Sequence, residues 1–402
     1  VSYLPLAHIL ALQIENVMLS IGATLCYTDP REMSKSLSMF TPTVFAGVPK
    51  VYEMLKAGLE KKLQSGPAAL RMAYETLLDW KIFVLKMGFD TPVSNKFFDL
   101  IAKKLFGGRL QFAVTGGGPM GGSLHYFSRA VFNCPVIQGY ALTETCVGGC
   151  FQALEDTRIG VVGPPVPCVE VMLQSEPEFK DTNGNAYLHT DTKGSKGEEV
   201  LGRGEICMRG PCISVGYYKN PEKTKEEFDP EGFFHTGDIG QFTKDGVIQI
   251  IDRKKNLVKL KGGEYVAVEA METAFTASKY VNALCVVANG DLDGPLAIVV
   301  TENGALKRWA KEQGLSGTSA EELSSSKQAR EEVISSMVAE GKRACLTSLE
   351  LRIKDCCLIT DDEWKPGHGM TASMKLDRKS IFKIHEKELR DMYKRQGVII
   401  SD

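Results

Sequence analysis

The sequence has no surplus of charge: 48 Lys and Arg stand against 50 Asp and Glu, a formal net charge of −2 with histidine neutral. Bulk attraction to nucleic acid or an anionic membrane is not indicated, and no nucleic-acid partner is expected. There is no disulfide rhythm either. The cysteines, at 26, 134, 146, 150, 168, 207, 212, 285, 345, 356 and 357, are odd in number and scattered, without the paired C-x-x-C spacing of a zinc site. Reduced, mostly buried thiols in an intracellular compartment are the expectation. No run is long and apolar enough to span a bilayer. Residues 1–29 contain His8, Glu15 and Asn16 and lack the basic start of a signal peptide. The last residues, Ile400-Ser401-Asp402, match no retention or peroxisomal tail. Internal repeats, low-complexity tracts, a G-x-G-x-x-G fingerprint and a Walker loop are all missing.

What is present suits a folded chain. At 402 residues, and about 150 per domain, two or three domains are expected. Apolar residues at 43% and charged residues at 24% suffice for a real core and exclude a mostly disordered chain. The 39 glycines suggest many tight turns or close backbone approaches to a ligand. Residues 1–157 read as α/β: strand-like runs at 43–46, 110–114 and 135–137 alternate with helical patterns at 48–63, 70–87 and 124–132. Residues 158–251 turn Gly- and Pro-rich, with strands at 169–173, 204–209 and 247–251 and turn pairs Asn183-Gly184 and Asp245-Gly246. That stretch reads as a small β-rich, barrel-like piece. A basic run at 252–256 marks a boundary. Beyond it, 257–402 returns to α/β, with helices at 268–277, 305–313, 320–340 and 379–394 and strands at 283–288 and 296–300.

Five segments carry chemistry, and each also has a bland reading. Thr115-Gly116-Gly117-Gly118-Pro119 lets a flat ligand or phosphate lie against bare backbone, or is a flexible strand-to-helix turn. Gln138-Gly139-Tyr140-Ala141-Leu142-Thr143-Glu144-Thr145 places a ring, a hydroxyl and a carboxylate at a strand exit, where open α/β sheets bind ligands. The ring can stack on a base, the hydroxyl can hold a phosphate, and the carboxylate can hold Mg²⁺; the alternative is a capped helix start. Phe234-His235-Thr236-Gly237-Asp238 presents a carboxylate that can accept both hydroxyls of a ribose, or is a hairpin turn. Asp252 to Lys261 packs five positive charges into ten residues and continues to Gly262-Gly263-Glu264-Tyr265; a solvated charge run is the ordinary explanation. Thr371-Ala372-Ser373-Met374-Lys375 sets a lysine on a small-residue loop, able to reach a phosphate or simply exposed.

In their order and spacing these segments resemble the adenylate-forming superfamily, and within it the long-chain fatty acyl-CoA synthetases. Gly-Tyr-Ala-Leu-Thr-Glu-Thr, Phe-His-Thr-Gly-Asp-Ile-Gly and Asp-Arg-Lys-Lys-Asn-Leu-Val-Lys-Leu-Lys-Gly-Gly-Glu-Tyr-Val carry the resemblance, with Tyr3-Leu4-Pro5-Leu6-Ala7-His8 and Phe45-Ala46-Gly47-Val48-Pro49-Lys50. It runs from Val1 to about Phe382.

The resemblance implies an α/β fold: a large AMP-binding domain with a β-rich subdomain, and a small mobile C-terminal α+β lid beyond a hinge at 252–256. It implies ATP-dependent ligation of a long-chain fatty acid to CoA through an acyl-adenylate, with Mg²⁺. Gly116, Gly117 and Gly118 would line the adenine pocket and Tyr140 would stack on the base. Thr143 would touch the α-phosphate, and Glu144 would bind the metal. Asp238 would take the ribose hydroxyls, assisted by Arg253. Lys255 would sit at the hinge, Lys375 would be the adenylation lysine, Gly262 and Gly263 would leave room for the pantetheine arm, and His8 would lie beside the acid's carboxylate. The family's Thr/Ser/Gly-rich loop ending in Pro-Lys-Gly is not found, and Val1 falls inside an ongoing pattern, so the chain reads as the remainder of a longer protein. Another acid-activating ligase, or a non-catalytic nucleotide- or acyl-CoA-binding piece, are the alternatives. A cytoplasmic location or the cytoplasmic face of an organelle membrane, with peripheral contact, fits an enzyme of insoluble acids; nothing in the sequence sets an oligomeric state.

Overall fold

A computed structural model describes residues 1–29, 32–89, 91–315, 319–371 and 375–398. Ala372, Ser373 and Met374 of the lysine loop, and the final Ile400-Ser401-Asp402, lie outside them. The chain divides into two compact units. The first comprises Val1–Leu173, Ile206–Thr236 and Gln241–Ile250; the second comprises Gln174–Glu205, Gly237–Gly240 and Ile251–Asp402.

The first unit opens with α1 (Ile9–Ser20) and α2 (Met33–Phe40). There follow β1 (Val44–Gly47), α3 (Pro49–Gln64), α4 (Ala68–Lys86), α5 (Pro92–Phe106), β2 (Phe112–Thr115), α6 (Gly122–Phe132), β3 (Val136–Tyr140) and β4 (Cys150–Phe151). The sequence pattern anticipates α3, α4 and α6; α1, α2 and α5 are additional. Proline opens α3 and α5, where its fixed φ suits a first turn whose N–H has no helical partner anyway. Helix α5 stops at Gly107, which has φ +74°, and a Cβ there would lie 2.2 Å from Thr41 Cγ2. Strands β1, β2 and β3 pair in parallel, with Gly47 beside Thr115 and Thr115 beside Gln138, while β4 pairs antiparallel to β3. The carboxyl ends of the three parallel strands therefore share one edge. Beneath them Phe45, Tyr52, Phe98, Phe106 and Phe132 form an aromatic core. Tyr52 Oη donates to Val114 O at 2.8 Å, tying α3 to β2. Burying each such ring contributes about 1.5–3 kcal/mol.

Residues 170–253 supply β5 (Glu170–Gln174), β6 (Glu176–Lys180), β7 (Ala186–Tyr187), β8 (Val200–Arg209), α7 (Pro221–Glu227), β9 (Phe234–Thr243) and β10 (Ile248–Arg253). They form an open sheet of order β10-β9-β8-β5 and a separate β6–β7 pair; among the described residues no closed barrel forms. The Asn183-Gly184 and Asp245-Gly246 turns place their glycines at φ +82° and +79°, which only glycine adopts freely.

The second unit continues with β11 (Leu257–Lys259), β12 (Tyr265–Ala267), α8 (Val268–Phe275), β13 (Val281–Val287), β14 (Leu296–Thr301), α9 (Asn303–Glu312), α10 (Ala320–Ser325) and α11 (Lys327–Arg343). It ends with β15 (Asp355–Ile359), β16 (Lys365–Pro366), β17 (Gly369–Met370), α12 (Arg378–Ile384) and α13 (Glu386–Arg395). Strand β14 lies between β13 and β15 and is buried along its whole length. Its alternating side chains feed two cores. Ala297 and Val299 pack with Met271, Phe275, Val333 and Met337. Leu296, Ile298 and Val300 pack with Trp364, Ile381 and Met392. Two expected helices are each broken in two. Ser326 interrupts the first and caps α11 by accepting from Ala329 N. His385 interrupts the second, buried with its Nε2 accepting from Trp364 Nε1 at 3.0 Å. None of the eleven cysteines is in a disulfide, but against the expectation of mostly buried thiols only Cys150, Cys207, Cys285, Cys356 and Cys357 are buried.

Candidate functional site

In the first unit, the carboxyl edge of the parallel sheet gathers two of the sequence motifs. Gly116, Gly117 and Gly118 leave the end of β2, and Tyr140 ends β3 beside them. The first two glycines are needed for different reasons. A Cβ on Gly116 would come within 3.3 Å of Gly139 O on the neighbouring strand, and Gly117 has φ +79°. Thr115 Oγ1, just before them, is buried with no hydrogen-bond partner among the described residues.

The segment after Tyr140 is not a helix start. Residues 143–147 form a turn. Buried Thr145 holds them, its Oγ1 accepting from Leu142 N at 3.1 Å. Cys146 and Val147 sit at φ +49° and +64°, and a β-branched residue in that region is strained. The turn delivers Thr143 exposed and Glu144 half-buried. Glu144 is anchored twice: Tyr217 Oη donates to its Oε1 at 2.7 Å, and Ser214 N donates to its carbonyl at 2.7 Å. Withdrawal from water and the bond to Glu144 raise the Tyr217 phenol well above its usual range, so it remains a donor. One carboxylate with an oxygen to spare suits Mg²⁺, which takes one or two protein carboxylates and completes its shell with phosphate oxygens and water. His8 caps α1, its Nδ1 accepting from Leu10 N at 3.3 Å.

The second unit holds the other predicted residues. Asp238 is not in a hairpin turn; it lies within β9, buried, directly after Gly237 at φ +69°. Arg253 at the end of β10 pairs with it, Nε to Oδ1 at 3.1 Å. Gly237 N donates to Glu205 Oε1 at 2.9 Å, which fixes the backbone beside Asp238. Lys254 reaches Glu176 at 2.8 Å and Glu205 at 3.2 Å. Lys255 is exposed on the single turn of 3-10 helix Lys254–Asn256. Gly262 and Gly263 form the turn between β11 and β12; Gly263 has φ +90°, and a Cβ on Gly262 would meet the Glu264 carboxylate at 2.1 Å. Lys375 is held by its backbone, Lys375 N donating to Thr371 Oγ1 at 3.2 Å and Thr371 N to Lys375 O at 2.8 Å. Lys375 is exposed, yet its pKa is lowered, first by its partly desolvated surroundings and then by the positive charge of Arg253; Glu269 and Asp238 oppose this, and Lys255 adds to it. Asp238, Arg253, Lys255 and Lys375 thus share one electrostatic neighbourhood.

Residues 1–218 match the AMP-binding enzyme family. The chain belongs to that family. It is 32% identical over 400 residues to fatty acyl-CoA synthetase B of Dictyostelium discoideum, covering 98% of this chain and 57% of that protein. It is 34% identical to long-chain-fatty-acid–CoA ligase 1 of Schizosaccharomyces pombe, over 98% of this chain and 58% of that protein. The chain thus spans less than two thirds of the length of these relatives. Among solved structures, the adenylation domain of a Mycobacterium chelonae carboxylate reductase superposes with a TM-score of 0.74 at 25% identity, covering 98% of this chain and 53% of that one.

Within this AMP-binding chain, three residues stand out that the sequence motifs do not mark. Tyr217 lies in the Gly216-Tyr217-Tyr218 string, but its pairing with Glu144 spans 73 residues. Glu205 and Glu269 supply charge beside Gly237 and Lys375. Glu269 has a weak signal, an acidic residue in the first turn of a predicted helix.

Proposed function

We propose that this chain contributes to the ATP-dependent ligation of a long-chain fatty acid to coenzyme A through an acyl-adenylate. Family membership carries the reading, and the carboxyl-edge cluster supports it: Gly116 to Gly118, Tyr140 and the Thr143–Glu144 turn emerge side by side where open α/β sheets take ligands. In this reading the bare glycine backbone accepts the adenine face and Tyr140 stacks on it. Thr143 donates to the α-phosphate. Asp238 accepts the ribose hydroxyls while Arg253 holds its carboxylate in place. His8 faces the acid's carboxylate.

The chemistry then balances. A carboxylate oxygen attacks the α-phosphorus of ATP, a P–O bond forms, and pyrophosphate leaves. The CoA sulfur next attacks the acyl carbon, and AMP leaves. The first step brings two anions together. Lys375 places a cation between them, through preorganised electrostatics rather than proton transfer. Mg²⁺, held through Glu144 Oε2, would neutralise phosphate charge. Lys255, on an exposed turn, is where a torsion change would reorient the C-terminal residues between the two steps. Gly262 and Gly263 would then admit the pantetheine arm. On this reading the enzyme works inside the cell, in peripheral contact with the membrane that holds its substrate; among the described residues no helix is long and apolar enough to cross one.

The test is thioester formation from palmitate, ATP and CoA, by this chain and by the polypeptide with any upstream sequence its gene encodes. Lys375→Ala and Glu144→Ala should each lower the rate about 10²–10³-fold. Normal turnover in both removes the site assignment. Turnover with aryl or short acids alone moves the reading to another acid-activating ligase. Nucleotide binding without turnover in either polypeptide favours a non-catalytic binding piece.

A further inference from the structure

Lys375 lies in a segment whose flanks, Met370 and Leu376, pack in the core that includes Leu296, Ile298 and Val300 of β14. Met370 bridges Leu376, Asp377 N donates to Gly369 O at 2.9 Å, and Gly369 N donates to Ser380 Oγ at 3.2 Å. These bonds join the lysine segment to the start of α12, and Asp377 caps that helix by accepting from Ser380 N. None of these bonds reaches the main sheet of the unit, and the packing of Met370 and Leu376 against it is apolar and sets no direction. Arg378, the first residue of α12, adds a polar, directional tie.

Its guanidinium grips Glu272 on α8 with both prongs, Nη1 to Oε1 at 2.7 Å and Nη2 to Oε2 at 2.8 Å. Nη1 also donates to Val286 O on β13 at 3.2 Å and lies 3.3 Å from Cys285 Sγ. Glu272 is 6% exposed, and its Oε1 accepts from Val286 N at 2.7 Å. The fork therefore joins the lysine segment, α8 and β13 at a single buried carboxylate. A planar fork fixes orientation as well as distance, which a lysine ammonium cannot. Glu269, one turn earlier on α8, is among the charges that act on the Lys375 ammonium. Helix α8 thus supplies both the anchor of the lysine segment and part of its electrostatic setting.

We propose that Arg378 and Glu272 are positioning residues for Lys375: their ion pair locks the strand-to-helix junction that carries the lysine onto α8 and β13. The proposal rests on the role given to Lys375 above. Catalytic electrostatics are sensitive to displacements of about 1 Å, so loosening this junction should weaken the lysine's action without touching it.

Two readouts test it, one independent of activity. Hydrogen exchange in the whole chain should show the amides of Thr371, Lys375 and Asp377 exchanging at least tenfold faster in R378Q, with β13 and β14 unchanged. In the polypeptide that shows ligase activity, R378Q should lower acyl-adenylate formation at least tenfold. It should leave thioester formation from preformed acyl-adenylate and CoA within about twofold. In a K375A background, R378Q should lower adenylate formation no further. R378K, which keeps the charge but not the fork, should fall between, and carries the same test should R378Q not fold. Unchanged exchange, equal loss in both half-reactions, or a full additional loss in the K375A background overturns the proposal. Normal adenylate formation by K375A alone instead sinks the role of the lysine, while the exchange result still decides whether the anchor exists.

Discussion

Asp252 offers the sharpest test of the physical picture of the second unit. It lies one residue before the end of β10 and is 4% exposed. Its Oδ1 accepts from Arg253 N at 2.6 Å and from Asn256 Nδ2 at 3.3 Å, while Oδ2 is buried with no partner among the described residues. Burial pushes the carboxyl up from 3.8 to about 7; the backbone N–H of Arg253 and the Asn256 amide oppose the shift, and the negative charge of Glu269 adds to it. Because the folded form holds its proton more tightly than the unfolded chain, it binds more protons between the two values, and stability falls as pH rises through that window. At about 1.4 kcal/mol per unit, a shift of this size costs about 3–4 kcal/mol between pH 4 and pH 7.5. Asp252→Asn keeps an acceptor for Arg253 N and Asn256 and removes the charge. It should stabilise the unit by about 2–4 kcal/mol at pH 7.5 and by little at pH 4. The measurement is urea unfolding at several pH values in a Trp80→Phe background, where the remaining Trp309 and Trp364 both report the second unit. A variant-minus-native difference that stays constant from pH 4.5 to 7.5 would refute the reasoning.

His125 should behave in the opposite sense. It is buried, its Nε2 donating to Val136 O at 2.6 Å, and burial lowers its pKa from 6.5 to about 4, so the folded state keeps it neutral. Stability of the first unit, followed by Trp80 fluorescence with Trp309 and Trp364 replaced by Phe, should therefore drop by about 3 kcal/mol as pH falls from 6.5 to 4, and His125→Gln should flatten that slope. Tyr217→Phe removes the donor to Glu144 Oε1. A hydrogen bond to a charged group is worth about 1.5–3 kcal/mol, so on the reading proposed above the magnesium concentration needed for half-maximal ligase activity should rise about tenfold or more, alongside a loss of up to that much stability in the first unit; an unaltered magnesium dependence refutes the anchoring role. Arg203 is buried between Asp181 and Asp191, 2.7 Å from each. Arg203→Met strands Asp181 without a counter-charge and should destabilise the second unit by about 3–5 kcal/mol, read as a lowered urea midpoint in the Trp80→Phe background.

Much of the candidate site was legible because its chemistry is local. Three glycines, then a ring, a hydroxyl and a carboxylate after two strand-like runs, are residue types whose spacing along the chain survives folding. The parallel register of β2 and β3 only brings them to one edge. Helix α1 was not legible for a corresponding physical reason. Val17 and Leu19 on it, and Ile21 just after it, are all more than half exposed, so apolar residues surround the helix and leave no clean period to read. The break at His385 depends on Trp364, 21 residues away, and no local propensity announces it.

The basic run after Asp252 shows where the boundary between readable and unreadable falls. By sequence alone it is a solvated charge run, and for Lys255, Lys259 and Lys261 exposure agrees. Arg253 and Lys254 differ, because each meets a carboxylate delivered by a distant strand: Asp238 from β9, and Glu176 and Glu205 from β6 and β8. Asp238 and Glu205 are themselves buried, so removing either cation would leave a carboxylate without its counter-charge in poor solvent. The first two basic residues of the run are therefore held by the fold, and the next remains free on a turn.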